Sequence, residues 1–245
     1  MAGHSKWSNI QHRKGAQDKK KSNIFSKCVK EITIAAKLGD PNPENNARLR
    51  LAIQNAKQAN MPLDNIKRAL DKATSSGENL EEVRYEGFGN GSVPIIVDCL
   101  TDNTNRTFTE VKNIFGKGGG NLGSEGSVSF MFKHVGIIVY PDTVMEFEKM
   151  FNNAIEASAE DVIHIEGEKN KNGLYKILTN VKDFGSALPI LEKSIGEIKE
   201  AHLGYIPITR TEDIDDETLE KLSRLIETLE DHDDVQRVFT GVDDE

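Results

Sequence analysis

The spacing of apolar residues divides this chain of 245 residues into an all-helical first part and a second part that alternates strands with helices. Up to about residue 75, large apolar side chains recur every three or four positions, which is the period of one face of an α-helix. Four helices are predicted, the first of them polar on nearly all sides: residues 9–20, 22–38, 44–59 and 62–75. Residues 1–80 are therefore expected to form an all-helical domain.

Beyond residue 85 the pattern changes to short apolar runs separated by glycines. Residues 93–100 form a nearly continuous apolar run, which is typical of a strand buried on both faces. A helix is predicted from Thr104, with four apolar residues pointing inward: Phe108, Val111, Ile114 and Phe115. After a glycine-rich loop at 116–126, residues 127–133 alternate between apolar and polar, which predicts a strand with one buried face.

The middle of the chain predicts a complete β-α-β-β-α-β unit. Its elements are expected at residues 136–140, 143–157, 161–166, 173–178, 181–195 and 197–203. This order is that of a ferredoxin-like domain, in which both helices cover one face of the sheet. The apolar positions of its first helix are Val144, Phe147, Met150, Phe151 and Ala154.

The stretches on either side of this unit, 93–133 and 205–239, each predict only β-α-β, and half a unit cannot close a core. Joining them gives an α+β fold with an N-terminal all-helical domain and two ferredoxin-like domains, one inserted in the other. The predicted domains are residues 1–80, residues 81–134 with 205–245, and the inserted residues 135–204. The alternative is a tandem arrangement in which both half-units pack on the middle domain. The nested order would be refuted if residues 93–100 and 235–239 belonged to different sheets.

Charge is distributed very unevenly along the chain. Residues 1–80 carry 15 basic and 7 acidic groups, a net +8, whereas residues 81–245 carry 16 basic and 33 acidic groups, a net −17. A basic head on an acidic body indicates that only the head is suited to meet a polyanion. No stretch approaches the ~18 apolar residues of a membrane helix, and no apolar signal region follows the start, so the chain is expected to be cytoplasmic.

The basic residues concentrate at the very start of the chain. The first 37 residues hold nine basic and two acidic groups, so pairing along a helix does not explain the run. Trp7, the only tryptophan, lies in this polar segment, where a base or a groove would hold it. Clustered lysine and arginine are the electrostatic footprint of phosphate binding, although a charge run is also the usual pattern of a solvated face. The predicted nucleic-acid contacts are Lys6, Trp7, His12, Arg13, Lys14, Lys19, Lys20, Lys21, Lys27 and Lys30.

The glycine-rich loop resembles a phosphate loop only superficially. A P-loop follows a strand and precedes a helix, whereas this loop follows a helix, and Lys117 is followed by glycine. The simplest interpretation is a mobile connection. A weaker functional alternative is that its backbone donors, with Lys117 and Asn121, make a secondary contact with a phosphate or an RNA.

Other candidate chemistry is weaker still. Phe130 and Phe132 suggest an RNA-stacking platform, but they share a predicted face with Val128, which favours the core. The spacing of His4, His12 and Cys28 fits no zinc pattern, and the acidic stretch Asp231–Asp234 is predicted to be an exposed turn. Cys28 and Cys99 are each expected to be small buried apolar residues. No catalytic residue, metal site or cofactor is predicted, and no small-molecule substrate is evident.

Several segments of this sequence closely resemble the YebC family. They are MAGHSKWSNIQHRKGAQD at the start, NMPLDNIKRAL, YEGFGNG, VDCLTDNTNRT, GGNLGSEGSVSFMF and YIPIT. The resemblance covers the whole chain and implies three domains, an N-terminal helical domain and two ferredoxin-like domains, with no enzymatic activity. Because the start motif begins at residue 2, no organelle presequence is expected.

The resemblance implies a regulator of gene expression that acts through nucleic acid. Family members are described as DNA-binding transcriptional regulators, and mitochondrial relatives as translational activators. The first expectation is therefore a transcriptional regulator that binds duplex DNA with weak sequence specificity, because no base-reading helix is evident. The alternative is a ribosome-associated translation factor that contacts rRNA or tRNA and activates translation or relieves stalling.

Overall fold

The computed structural model describes residues 17–75, 80–167, 172–211 and 214–242. It is an α+β structure in which three helices precede two four-stranded sheets. The helices are α1 (Gln17–Leu38), α2 (Ala47–Gln58), α3 (Leu63–Ser75), α4 (Thr104–Lys117), α5 (Phe147–Glu156), α6 (Val181–Ile195) and α7 (Asp216–Glu230). The strands are β1 (Glu81–Phe88), β2 (Pro94–Thr101), β3 (Asn121–Leu122), β4 (Phe132–Pro141), β5 (Ala159–Ile165), β6 (Leu174–Asn180), β7 (Glu200–Pro207) and β8 (Val235–Thr240).

The first three helices share one apolar core. Its buried residues are Ile32, Ala35, Ala36, Leu49, Ala52, Ala56, Met61, Ile66 and Ala69. Asn46 begins α2: its side-chain oxygen accepts from the Leu49 amide at 3.0 Å, and its nitrogen donates to the carbonyl oxygens of Ala35 and Asp40 at 2.8 Å each. This one side chain therefore also fixes the turn that follows α1.

Helix α1 is continuous where a break was predicted. The sequence pattern separates a polar helix ending at residue 20 from an apolar one beginning at 22, yet Gln17–Leu38 is a single helix. Lysine is a good helix former, and no residue at this point breaks a helix. The change from polar to apolar therefore does not mark the end of a helix.

The first sheet has the strand order β3-β1-β2-β8. Strands β2 and β8 pair antiparallel in this sheet, which is the pairing that the nested order requires. The other two strands differ from those predicted, because β1 pairs along its whole length with β2, and β3 pairs with the end of β1. Strand β1 was not predicted, because Glu82, Arg84 and Glu86 give it a charged face whose partners are set by the tertiary structure.

The predicted strand at 127–133 is wrong. Residues 129–131 form a short 3-10 helix, and β4 begins only at Phe132. The carboxylate of Glu86 accepts hydrogen bonds from the Val128 and Ser129 amides at 2.8 Å each, so these amides cannot join a strand ladder. Phe130 is consequently 72% exposed, whereas it was predicted to be in the core.

The second sheet has the order β5-β6-β4-β7, with α5 between β4 and β5 and α6 between β6 and β7. All six elements predicted for this part of the chain are present. The predicted strand at 205–210 is wrong, since residues up to Pro207 belong to β7 in this second sheet. Met150 and Ala154 of α5 are buried as predicted, but Phe147 and Phe151 are more than 40% exposed.

The chain divides into two compact units, one made of residues 1–132 with 207–244 and one made chiefly of residues 133–206. The helices α1–α3 and the first sheet belong to the first unit. The finer division into three domains stays a prediction. None of the described helices has both the length and the apolar composition needed to cross a lipid bilayer.

Candidate nucleic-acid interface

The predicted nucleic-acid contacts fall into three groups. Lys6, Trp7, His12, Arg13 and Lys14 lie outside the described residues. Lys19, Lys20 and Lys21 lie in α1, ahead of the part that packs in the core. Lys27 and Lys30 lie further along the same helix, where they contact the rest of the first unit.

One face of α1 lies against the C-terminal end of α7. Asn23, Lys27 and Lys30 are spaced four and three residues apart, so they share this face. The Asn23 amide donates to the Asp231 carbonyl oxygen at 2.8 Å, and Lys27 Nζ donates to that of Glu230 at 2.5 Å. The last carbonyls of a helix lack partners within the helix and carry partial negative charge, so these two side chains complete the end of α7.

Lys30 binds the turn that follows α7. Its Nζ lies 2.5 Å from Oδ1 of Asp234, and it also donates to the carbonyl oxygens of Asp233 at 2.9 Å and Leu100 at 3.3 Å. Only 4% of the Asp234 side chain is exposed. The basic head is thus held on the acidic body by a mostly buried ion pair.

Asp234 also binds three side chains, one from the last residue of β2 and two from the first turn of α4. Arg106 Nη2 lies 2.8 Å from Asp234 Oδ2, the Thr107 hydroxyl donates to the same oxygen at 2.7 Å, and that of Thr101 donates at 3.3 Å. Burial by itself raises the pKa of Asp234, but the hydrogen bonds from Lys30, Arg106 and Thr107 outweigh it and hold that pKa well below its usual range. The carboxylate is therefore charged and fully engaged.

Two sequence-based expectations need correction here. Asp231 and Asp233 are exposed in a turn as predicted, but Asp234 is buried, and Lys30 and Arg106 bind its carboxylate. Lys27 and Lys30 are not free phosphate contacts, because both bind groups of their own chain. Burial is the main cause that lowers the pKa of Lys27, against the raising effect of Glu230. Two members of the predicted interface are thus engaged with the rest of the chain, and their contact with nucleic acid stays a prediction.

The segment from Thr101 to Thr107 was not assigned a role by sequence reasoning. Helix α4 begins at Thr104 as predicted, and Asn103 caps it by accepting from the Arg106 amide at 3.0 Å. The buried Thr101 and Thr107 hydroxyls are 2.8 Å apart. Threonines beside a helix cap can be recognised in the sequence. The Asp234 carboxylate that they bind lies 127 residues from Thr107, so this partner cannot be recognised there.

The glycine-rich loop is tied down, contrary to the expectation of a mobile connection. Gly123 N–H donates to the Glu86 carbonyl oxygen at 2.8 Å, and Gly126 N–H donates to the Glu86 carboxylate at 3.0 Å. Burial raises the pKa of Glu86, but hydrogen bonds from the Val128, Gly126 and Ser129 amides outweigh it, so the pKa is lowered. Glu86 occupies the amides that a bound phosphate would use.

The remaining loop positions also leave little room for a phosphate cradle. The Gly118 and Gly120 amides donate to the carbonyl oxygens of Ile114 and Phe115 at 2.9 and 2.8 Å. Gly119 has a φ of +80°, a conformation that glycine adopts without strain. Lys117 and Asn121 are exposed, so contact by their side chains stays a prediction.

One group of side chains among the described residues has the make-up of a metal site. Glu110, His232 and Asp234 place one ligand atom each within 4.8 Å of one another. However, His232 Nδ1 accepts the Asp234 amide at 3.1 Å, so its Nε2 carries the proton and donates to Glu110 at 2.8 Å. The cationic Arg106 is bound to the same Asp234 carboxylate, which makes the group unsuitable for a further cation. Cys28 and Cys99 are free thiols, of which only Cys99 is fully buried.

Comparison with known proteins decides the family. The N-terminal domain of the TACO1/YebC family matches residues 5–76, and the second and third domains of that family match residues 80–242. The chain belongs to the TACO1/YebC family. It is similar to a "probable transcriptional regulatory protein" of Persephonella marina, with 49% identity over 98% of this chain and 95% of the relative. A protein of the same description from Rickettsia bellii is 46% identical over 98% of this chain and 92% of the relative.

The chain is also similar to a solved structure. The crystal structure of a conserved hypothetical protein from Aquifex aeolicus is 41% identical, covers 96% of this chain and 95% of its own, and has a TM-score of 0.85. The resemblance inferred from the start motif and the internal motifs is therefore confirmed. The corrections made above concern which residues of this TACO1/YebC chain are available to a partner.

Proposed function

We propose that the chain is a nucleic-acid-binding regulator of gene expression and, most directly, a DNA-binding transcriptional regulator. The names of its relatives in Persephonella marina and Rickettsia bellii support this proposal. The observation that carries it is the separation of charge along α1. Lys27 and Lys30 bind the acidic body, while Lys19, Lys20 and Lys21 precede the first contact of this face, which Asn23 makes.

The proposed interface is accordingly the N-terminal part of the head: Lys6, Trp7, His12, Arg13, Lys14, Lys19, Lys20 and Lys21. Lys117 and Asn121 are kept as a secondary contact. The acidic composition of residues 81–245 disfavours contact with a polyanion over most of that part of the chain, so the head is proposed as the main contact. The protein is proposed to act in the cytoplasm by binding and not by catalysis.

We further propose that the unit of residues 133–206 is ferredoxin-like. Its connectivity and its strand order support this, since the strand that begins the unit lies second in the sheet, beside the one that ends it. The first sheet fits a permuted version of the same arrangement. Five positions of the β-α-β-β-α-β unit are taken by β2, α4, β3, α7 and β8. The remaining strand is β1, which precedes all of these in the sequence.

The test is the salt dependence of binding to a labelled DNA duplex. Each phosphate contact contributes a slope of about −0.9 to log Kobs against log salt. Substituting alanine for Lys19, Lys20 and Lys21 together is expected to reduce the magnitude of the slope by roughly 2–3. The matched control replaces Lys182, Lys193 and Lys199, three exposed lysines of the second unit, and is expected to leave the slope unchanged.

The same protein is then titrated with structured RNA and with purified ribosomes at one fixed salt concentration. An unchanged slope for the triple variant would remove these lysines from the interface. Preference for ribosomes, with duplex binding lost near physiological salt, would replace the transcriptional role by the translational one. Both outcomes are read on the intact chain, so no isolated head is required.

A further inference from the structure

Helix α4 differs in charge from the other helices of the acidic body. It contains three basic residues and one acidic residue, a net +2. Helices α5 and α6 carry net charges of −1 and 0, and α7 carries two basic and five acidic residues, a net −3. Acidic groups outnumber basic ones by 33 to 16 in residues 81–245. Among the described helices of this part, α4 is therefore the one best suited to approach a polyanion.

The only acid of α4, Glu110, does not face the same side of the helix as Lys112. Glu110 turns toward the body and accepts from His232 Nε2 at 2.8 Å, and Arg106 likewise binds Asp102 and Asp234 at 2.8 Å each. With 3.6 residues per turn, the opposite side of α4 carries Asn105, Phe108, Thr109 and Lys112. Among these, Phe108 and Lys112 are exposed and none is acidic.

Phe108 was predicted to point inward, but it is 45% exposed. One side of its ring contacts the ring of Tyr85, at 6.0 Å between centroids and an interplanar angle of 51°. Tyr85 is itself buried, and its hydroxyl donates to the Thr104 carbonyl oxygen at 3.2 Å, so the support behind Phe108 is fixed. Lys112 Nζ lies over the Phe108 ring, 5.8 Å from its centroid, so a stacked base would take the place of this ammonium group and free it for a phosphate.

A supported, half-exposed ring next to a lysine has the two parts that a single-stranded nucleic acid needs. The ring offers a face on which an unpaired base stacks, and the ammonium group meets the neighbouring phosphate. A duplex keeps its bases stacked on each other and offers no such face.

We propose that the exposed face of α4 binds one unpaired nucleobase against Phe108, with Lys112 contacting an adjacent phosphate. This inference rests on the proposed nucleic-acid-binding function and specifies a single-stranded segment as part of the ligand. It adds a second contact on the body to the one on the head. Lys117, exposed at the C-terminal end of α4, extends the same basic helix toward Asn121.

The test measures binding of the full chain to three labelled oligonucleotides of one mixed sequence: single-stranded RNA, single-stranded DNA and the DNA duplex. Phe108→Leu keeps an apolar side chain against Tyr85 but removes the aromatic face. It is expected to weaken single-strand binding roughly 5- to 150-fold without changing the salt slope, because stacking is not ionic. Phe108→Tyr is expected to retain binding.

Lys112→Ala is expected to reduce the magnitude of the single-strand salt slope by about 0.7. The matched controls are Phe130→Leu, an exposed phenylalanine on another element, and Lys149→Ala, an exposed lysine on α5. Neither control is expected to change single-strand affinity by more than about twofold. Duplex binding is expected to be unaffected by Phe108→Leu.

Equal effects of Phe108→Leu and Phe130→Leu on single-strand binding would overturn the inference, as would equal losses for single strand and duplex. If the triple lysine variant of α1 weakens binding while Phe108→Leu does not, the proposed function survives and this inference fails. If the wild-type chain binds none of the three oligonucleotides, both fail. Comparison of RNA with DNA shows which single strand is preferred.

Discussion

Replacing Lys30 by methionine tests whether the basic head is held on the body by the Asp234 ion pair. Methionine has a similar length and retains most of the aliphatic contacts of lysine, so the change removes chiefly the charge and its hydrogen bonds. The Lys30 side chain is 22% exposed and Asp234 is 4% exposed, so solvent screens the pair only partly. The variant is therefore expected to weaken docking of α1 without disturbing the second unit.

The magnitude follows from the contacts of the ammonium group. A hydrogen bond to a charged partner contributes about 1.5–3 kcal/mol, and the bond to Asp234 at 2.5 Å is the main one lost. Asp234 keeps Arg106 and Thr107, so the cost stays below the ~3–5 kcal/mol expected when a buried charge loses its partner. The expected loss is about 2–3 kcal/mol in the free energy that holds α1 and the Asp234 turn in place.

Amide hydrogen exchange followed by mass spectrometry measures this loss locally. Peptides from α1 and from the turn between α7 and β8 are expected to exchange roughly 30- to 150-fold faster in the variant, since each 1.4 kcal/mol is a factor of ten. Peptides from β4 to β6 serve as the internal reference. A double-mutant cycle with Asp234→Asn is expected to give a coupling energy of about 1–2 kcal/mol.

Lys149→Met is the matched control, because Lys149 is exposed on α5, and its effect is expected to stay within about 0.5 kcal/mol. If Lys30→Met behaves like this control, the ion pair does not hold the head. If exchange accelerates equally in β4 to β6, the variant acts on the whole chain, and the reasoning from local contacts is refuted.

Two further predictions follow from the buried carboxylates. The Asp234 pKa is depressed on folding, so its stabilisation is present above the unfolded pKa of about 3.9 and is lost as pH falls toward the folded value. The urea midpoints of wild type and Asp234→Asn should therefore differ most at pH 7 and converge below pH 4, and a difference independent of pH would contradict this sign. Glu86→Gln is expected to cost about 1.5–3 kcal/mol and to speed exchange at Gly126 and Val128. The exposed Glu148→Gln is its control, and equal effects of the two would show that Glu86 does not hold the loop.

The parts of the fold that local patterns predicted correctly are those whose partners are near in sequence. Helices α2 and α3 and all six elements of the second unit have strong apolar periodicity and short connections, and their bounds differ from the prediction by only a few residues. Errors occurred where long-range contacts override a local pattern. The alternation at 127–133 looks like a strand, but Glu86, some 40 residues earlier, binds its amides.

The candidate site likewise has features that are visible in the sequence and features that only tertiary contacts decide. The concentration of positive charge in the first 37 residues and the family motifs are visible in the sequence, and the family assignment is confirmed. The roles of single lysines are not visible, because they depend on which side of α1 faces the body. Phe108 illustrates the converse error, since its helical position is at the edge of the apolar face and only the neighbouring Tyr85 decides how much of the ring is covered.

The sequence alone thus determined the order of helices and strands in most of the chain, the opposition of a basic head to an acidic body, and the family. Tertiary structure decided which strands share a sheet, that Glu86 fills the glycine-rich loop, and that Lys27 and Lys30 are engaged with the body. The reason is the range of the interactions: helix and strand periodicity is set by neighbours a few residues apart. The carbonyl that binds Lys27 and the carboxylate that binds Lys30 lie 203 and 204 residues away and meet them only after the chain has folded.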